Sequence, residues 1–96
     1  MSYNLSFHPK ALKEWQKLDT SIKSQFKNKI SERLENPKVM KDKLIGFEEV
    51  YKIKLKSAGY RLAYKVEDEN ITVLVLAIGK RENNKIYDLL GGRFES

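Results

Sequence analysis

Residues 50–66 read VYKIKLKSAGYRLAYKV, and the side-chain period of this stretch settles the fold class. Tyr51, Ile53 and Leu55 alternate with Val50, Lys52, Lys54 and Lys56, and Tyr60, Leu62, Tyr64 and Val66 alternate with Arg61, Ala63 and Lys65. A period of two is the signature of a strand with one buried face. Ser57-Ala58-Gly59 supplies the turn between two such strands. Centring that turn on Ser57-Ala58 sets Leu55 against Tyr60, Ile53 against Leu62 and Tyr51 against Tyr64, so the apolar sets of the two strands fall on one face. The same register opposes Lys54 to Arg61 and Lys52 to Ala63. A slip of one residue would turn a whole strand over, so the sequence accepts opposed like charges that destabilise a hairpin.

Downstream, Glu67–Asn70 makes a turn and Ile71–Ile78 is apolar at nearly every position, as expected of a central strand covered on both faces. Gly79 is expected to close it. Asn83 or Asn84 can cap a short last helix with Ile86, Leu89 and Leu90 inward, ended by Gly91-Gly92, with residues 91–96 as a loose tail. Upstream, residues 37–49 form a connector with Val39, Met40, Leu44 and Phe47 as expected buried anchors and a turn at Gly46. Ile22, Phe26, Ile30 and Leu34 recur at i+4 and predict a helix capped by Asp19 or Thr20 and stopped by Asn36-Pro37. Ala11, Leu12, Trp15 and Leu18 mark one face of a preceding helix with Pro9 in its first turn. Tyr3, Leu5 and Phe7 alternate as a half-buried strand, and His8 at the junction reads as a local cap. The order is β-α-α-β-β-β-α. It predicts a single α+β domain over residues 1–96, with two N-terminal helices packed on a mostly antiparallel four-stranded sheet and a short C-terminal helix.

The chain has 96 residues, which suits one domain. It has no cysteine, so a disulfide framework, a thiolate zinc site and a thiol nucleophile are excluded. Its single histidine cannot supply a two-imidazole acid–base pair. The start MSYNLSFHPK lacks the charged-then-apolar pattern of a signal peptide. The longest apolar run is far short of the roughly 20 residues of a membrane helix. No membrane partner is expected, and the expected compartment is the cytoplasm. No metal-ligand spacing and no glycine-rich phosphate loop is visible, so no metal and no cofactor is expected. Glu48-Glu49 and Glu67-Asp68-Glu69 read as solvated turn carboxylates, and Lys23, Lys27 and Lys29 as the polar face of the second helix, able to touch RNA phosphates.

Lys and Arg outnumber Asp and Glu by 19 to 13, a net charge of +6 that suits an anionic partner. The surplus is concentrated: residues 50–66 carry Lys52, Lys54, Lys56, Arg61 and Lys65 and no acid. A solvated outer face protecting a sheet edge is one reading. A phosphodiester site is the other, since an ordinary solvated face interleaves Glu with Lys. Crowded cations also lower a lysine's pKa, which fits Lys54 to accept a proton. A second constellation is Gly79-Lys80-Arg81-Glu82 followed by Tyr87. Arg81 leaves the sheet rim, and Tyr87, off the Ile86/Leu89/Leu90 stripe, is either a core-edge tyrosine or a plate on which an RNA base stacks.

The runs Tyr51-Lys52-Ile53-Lys54-Leu55, Ser57-Ala58-Gly59-Tyr60-Arg61-Leu62, Gly79-Lys80-Arg81-Glu82 and Ile86-Tyr87, with the opening Ala11-Leu12-Lys13-Glu14-Trp15-Gln16-Lys17-Leu18, resemble the RelE family of bacterial toxins within the RelE/ParE superfamily. The resemblance implies a type II toxin–antitoxin toxin: a metal-independent, ribosome-dependent endoribonuclease (mRNA interferase) that inhibits translation by cleaving messenger in the A site. Attack by the 2′-hydroxyl would leave a 2′,3′-cyclic phosphate and a 5′-hydroxyl. Carried over, Lys52, Lys54 and Arg61 stabilise the phosphorane, with Lys54 a plausible base, Arg81 beside the leaving group as acid or as electrostatic partner, and Tyr87 stacking a base or taking a direct proton role in place of Lys54. Lys56, Lys65 and Lys80 would contact RNA or ribosome. The implied partners are a RelB-like antitoxin, the 30S A site with its 16S rRNA and messenger, and operator DNA only through the toxin–antitoxin complex. Two positions depart from the family pattern: Ile45 stands where many members have arginine after Lys-Leu, and Asn83 where many have a second arginine. A gyrase-poisoning toxin of the ParE type and a non-catalytic ribosome- or RNA-binding module are the rival readings.

Overall fold

The hairpin forms in the register that the alternation dictates. In the computed structural model, which describes residues 2–80 together with Leu90 and Gly91, β2 (Val50–Leu55) pairs antiparallel with β3 (Tyr60–Glu67). Leu55 faces Tyr60, Ile53 faces Leu62, Tyr51 faces Tyr64 and Lys54 faces Arg61. Gly59 closes the turn at φ 70, a conformation in which a Cβ is strained, and donates its N–H to Leu55 O at 2.9 Å.

Ahead of the hairpin lie β1 (Asn4–Phe7), α1 (Pro9–Gln16), α2 (Thr20–Glu35) and a 3-10 turn at Met40–Asp42; β4 (Thr72–Lys80) follows it. The strand order is β1-β4-β3-β2. The two helices carry the chain across one face to the far edge, and the β2-β3-β4 meander returns it to β1. The β1–β4 pair is therefore parallel and the other two antiparallel. The expected short last helix falls largely on residues 81–89, outside the described residues; Leu90 and Gly91 are helical.

One face of the sheet packs Tyr51, Ile53, Leu55, Leu62, Tyr64, Val66, Val73, Val75 and Ile78 against Ala11, Phe26 and Ile30 of the helices. Burial of a side chain such as Phe26 or Leu62 contributes about 1.5–3 kcal/mol. Trp15 wedges between Phe7 and Phe26, with ring centroids 5.6 and 6.4 Å away. On the other face Leu44, Val50, Ala63, Leu76, Ala77 and Leu90 form a second core, so β4 is covered on both sides, as its unbroken apolar run implies.

Several sequence expectations are corrected. β4 begins at Thr72, because Ile71 sits in the turn at φ 49, and it runs through Gly79 to Lys80, because pairing with β3 continues to the Tyr60–Lys80 pair. A bulge opposite Ala63/Tyr64 keeps Leu76 and Ala77 on the same face and returns Ile78 to the helix side. Leu12 is 41% exposed, outside the narrow stripe that α1 presents to the sheet. Met40 is 68% exposed, because the 3-10 turn is held by Asp42 and projects Met40 to solvent. Asp19 occupies the N-cap position of α2 but makes no side-chain cap bond, whereas His8 does cap α1, its Nδ1 accepting from Lys10 N–H at 3.1 Å.

A polar clamp closes one end of the sheet. Tyr3 Oη donates to Asp68 at 3.0 Å, Lys38 Nζ donates to the other Asp68 oxygen at 2.7 Å, and Lys38 also pairs with Glu49 at 3.3 Å. The hydrogen bonds from Lys38 and then Tyr3 hold the Asp68 carboxyl below its ordinary value. A depressed carboxyl stabilises the fold above the unfolded-state pKa, about 3.9 for Asp, and loses that contribution as pH falls through the lower folded value. The Tm gap between the parent and Asp68→Asn is therefore expected to be constant from about pH 5 to 7 and to close below about pH 3.9. A gap that persists unchanged at pH 2 would show that the clamp is not ionic. Because the clamp is exposed, the gap should be small.

Candidate functional site

The face of the hairpin opposite the helices carries Lys52 and Lys54 from β2 and Arg61 from β3, all half-buried. Lys54 and Arg61 are directly opposed, which in such pairs sets Cβ atoms about 4.5–5.5 Å apart. The bulge in β4 completes this arrangement. It brings Gly79, with no side chain, opposite Arg61, whereas unbroken pairing would have put Ile78 there. Arg61 Nε is buried and has no hydrogen-bond partner among the described residues. A buried donor left unpaired costs roughly 1–3 kcal/mol, so among the described residues Arg61 Nε has an unmet demand for an acceptor.

Two supports hold the sheet around these cations, one on β4 and one on the β2–β3 hairpin. Glu14 on α1 accepts from Ile78 N–H at 3.0 Å; β1 ends at Phe7, and α1 thus satisfies the edge of β4 beyond it. Arg33 on α2 donates to Lys52 O at 3.0 Å and to Tyr64 Oη at 2.9 Å, and it ion-pairs with Asp42. Tyr64 Oη in turn donates to Pro37 O at 2.6 Å. Burial pushes the Tyr64 phenol up, with Arg33 opposing, so it stays a neutral donor. The sequence reading passed over Arg33. Its signal was position: three residues after Ile30, it borders the buried stripe, where a cation needs partners.

The other expected site residues divide. Lys56 is exposed just beyond the end of β2, near Lys54. Lys65 lies four residues from Arg61 along β3, about 13 Å away, and lines a cleft of about 400 Å³ with Glu48, Glu49, Glu67, Asp68 and Glu69. Lys80 pairs with Tyr60 and leaves the sheet on the helix side. Arg81 and Tyr87 lie outside the described residues. Ile45, in the connector, is 92% exposed. Among the described residues no group of three or more His, Cys, Asp or Glu side chains could hold a metal ion.

A four-stranded mixed sheet, a helical pair on one face and a cationic hairpin on the other define a known class. Residues 5–85 match the family described as the ParE toxin of type II toxin–antitoxin systems. The chain belongs to this RelE/ParE toxin family, and its similarity is to the RelE toxins. The mRNA interferase toxin RelE of Escherichia coli K12 is 48% identical over 87 residues, which are 91% of this chain and 92% of that protein. The free E. coli RelE toxin with two arginine-to-alanine substitutions superposes with a TM-score of 0.89 at 45% identity, covering 97% of this chain and 98% of that one. The toxin in the intact E. coli RelBE toxin–antitoxin complex gives 0.82 at 48% identity, covering 85% of this chain and 100% of that one.

Proposed function

We propose that this chain is an mRNA interferase: a ribosome-dependent endoribonuclease that cuts messenger in the A site and is held inactive by a RelB-like antitoxin. The observation that carries the reading is the juxtaposition of Lys52, Lys54 and Arg61 on one face, with Arg61 Nε buried and lacking a partner among the described residues. The relatives named for mRNA cleavage support it.

In the proposed reaction the 2′-hydroxyl loses its proton to Lys54 and its oxygen attacks the adjacent phosphorus. The phosphorane's added negative charge is met by Lys52 and Arg61, and the bond to the 5′-oxygen breaks. The products are a 2′,3′-cyclic phosphate and a 5′-hydroxyl, the latter taking its proton from water while Lys54 returns its own to solvent. Preorganised cations aimed at developing charge are usually the largest catalytic term. Arg81 sits by the leaving oxygen as an electrostatic partner, since a guanidinium is a poor proton donor, and Tyr87 stacks a base. No step calls on a metal. With no imidazole pair to move protons, free RNA is cut slowly, and the ribosome supplies substrate orientation, worth several kcal/mol. The place of action is the cytoplasm, and operator DNA is reached only through the antitoxin complex. Among the described residues no helix is long and apolar enough to cross a membrane.

Mapping messenger 5′ ends by primer extension tests this reading. Ribosomes programmed with a defined messenger and an empty A site are expected to yield new ends within that site, and naked messenger few. Intact messenger alongside inhibited supercoiling would favour the gyrase-poisoning reading. Arrested translation with no new ends would favour a non-catalytic ribosome-binding module.

A further inference from the structure

A polar groove runs behind the candidate site, between the C-terminal half of α2, the 3-10 turn and the outer edge of β2. It comprises a cleft of about 270 Å³ whose walls include Lys29, Arg33, Lys41, Asp42, Lys54 and Lys56. A second cleft of about 280 Å³ shares Lys29, Arg33 and Lys41 with the first. Two carboxylates, Asp42 and Glu32, face these five cations. Asp42 is already engaged by Arg33, which leaves Glu32 alone against the lysines. Among the described residues Lys29, Lys41 and Lys56 enter no ion pair. A concave surface with so large an excess of positive over negative charge concentrates its field and selects anions.

The floor of this groove is rigid. Arg33 is 13% exposed and is fixed from three directions by Lys52 O, Tyr64 Oη and Asp42, so the cations beside it are mounted on a braced surface. Lys54 lies both in the groove wall and on the hairpin opposite Arg61, which makes the groove continuous with the candidate site around the β2 edge.

We propose that this groove is a second phosphate subsite, which holds a phosphodiester of RNA away from the bond being cut. The inference rests on the RNA reading of the hairpin and extends it. The chemistry admits two sources of that phosphate, the messenger strand and the RNA of the ribosome. Lys29 and Lys41 are the positions where it can be tested, because both are exposed and neither lies on the face that carries Lys52 and Arg61.

The full chain carrying K29E/K41E is compared with the parent and with K10E/K13E, an equal charge change on exposed positions of α1. On ribosomes programmed with messenger and an empty A site, K29E/K41E is expected to raise KM about tenfold or more, with kcat within about twofold of the parent. It is also expected to flatten the dependence of log(kcat/KM) on log salt by about one unit per lost phosphate contact. K10E/K13E should move neither quantity comparably. Binding of a 2′-O-methyl single-stranded RNA, which cannot be cut, distinguishes the sources. Weakened binding of this RNA places messenger in the groove, and an effect confined to ribosomes assigns ribosomal RNA. A KM and salt slope equal to those of the parent or of K10E/K13E would overturn the subsite. A parent chain that never cuts messenger would instead sink the functional reading, while the affinities of the two variants for this RNA and for ribosomes would still decide the groove.

Discussion

Arg61→Ala is expected to lower the rate of messenger cleavage on programmed ribosomes by about two to three orders of magnitude, the usual result of removing one preorganised donor from a developing oxyanion. The loss should fall on kcat, because the charge it meets exists only in the phosphorane. The same substitution should leave the fold intact. Arg61 Nε has no internal partner among the described residues, and the residue opposes Lys54 across the hairpin. Its removal relieves a like-charge pair of the sort that costs a few tenths of a kcal/mol or more, so Tm should hold or rise slightly. Arg61→Lys should fall between the parent and alanine, since it restores charge without the planar fork of donors. Cleavage by Arg61→Ala within threefold of the parent, at unchanged Tm, would remove Arg61 from the site. A collapse of both activity and Tm would make its role structural. The expected pattern separates the two roles because one substitution moves activity and stability in different directions.

How much of this was legible in the sequence depends on what each signal measures. Residues 50–66 alternate because the helix-side face of the hairpin is wholly apolar while the other carries the cations, with only Val50 and Ala63 buried there. That period fixed both the pairing and the opposition of Lys54 to Arg61. In β4 the same logic fails. Every position from Val73 to Ile78 is apolar because both faces are covered, so no alternation exists for the bulge at Leu76 and Ala77 to interrupt. The parallel β1–β4 pair is likewise silent, since side-chain period carries no strand order. Lys65 shows the limit of counting charge along the chain. No acid lies within its own segment, yet Glu48, Glu49 and the Glu67–Glu69 turn fold around it from either side. Arg33 escaped for the opposite reason. Its lysine neighbours on α2 invite a solvated reading, and its three partners come from elements distant in sequence.

Arg33→Met should be the most destabilising single change among the polar groups described. Methionine keeps much of the unbranched stem's packing but removes the charge and every donor. Asp42, whose side chain is only 18% exposed, then keeps its charge without a partner. Lys52 O and Tyr64 Oη each lose an incoming hydrogen bond, although Tyr64 retains its own to Pro37 O. Breaking a fully buried pair costs about 3–5 kcal/mol. Arg33 and Asp42 line an open groove that water can enter, so about 2–3 kcal/mol is expected after that discount. In a domain of this size that is a fall in Tm on the order of 10–20 °C. The cause can be isolated, because replacing both partners by apolar groups removes the stranded charge as well. The double variant Arg33→Met/Asp42→Leu should therefore recover much of the loss, with a coupling energy of about 1–2 kcal/mol from urea unfolding. Strictly additive single changes would mean that the ion pair contributes nothing and that Arg33 acts only through its bonds to Lys52 O and Tyr64 Oη. A Tm within about 3 °C of the parent for Arg33→Met alone, equivalent to less than about 1 kcal/mol, would dismiss the brace altogether.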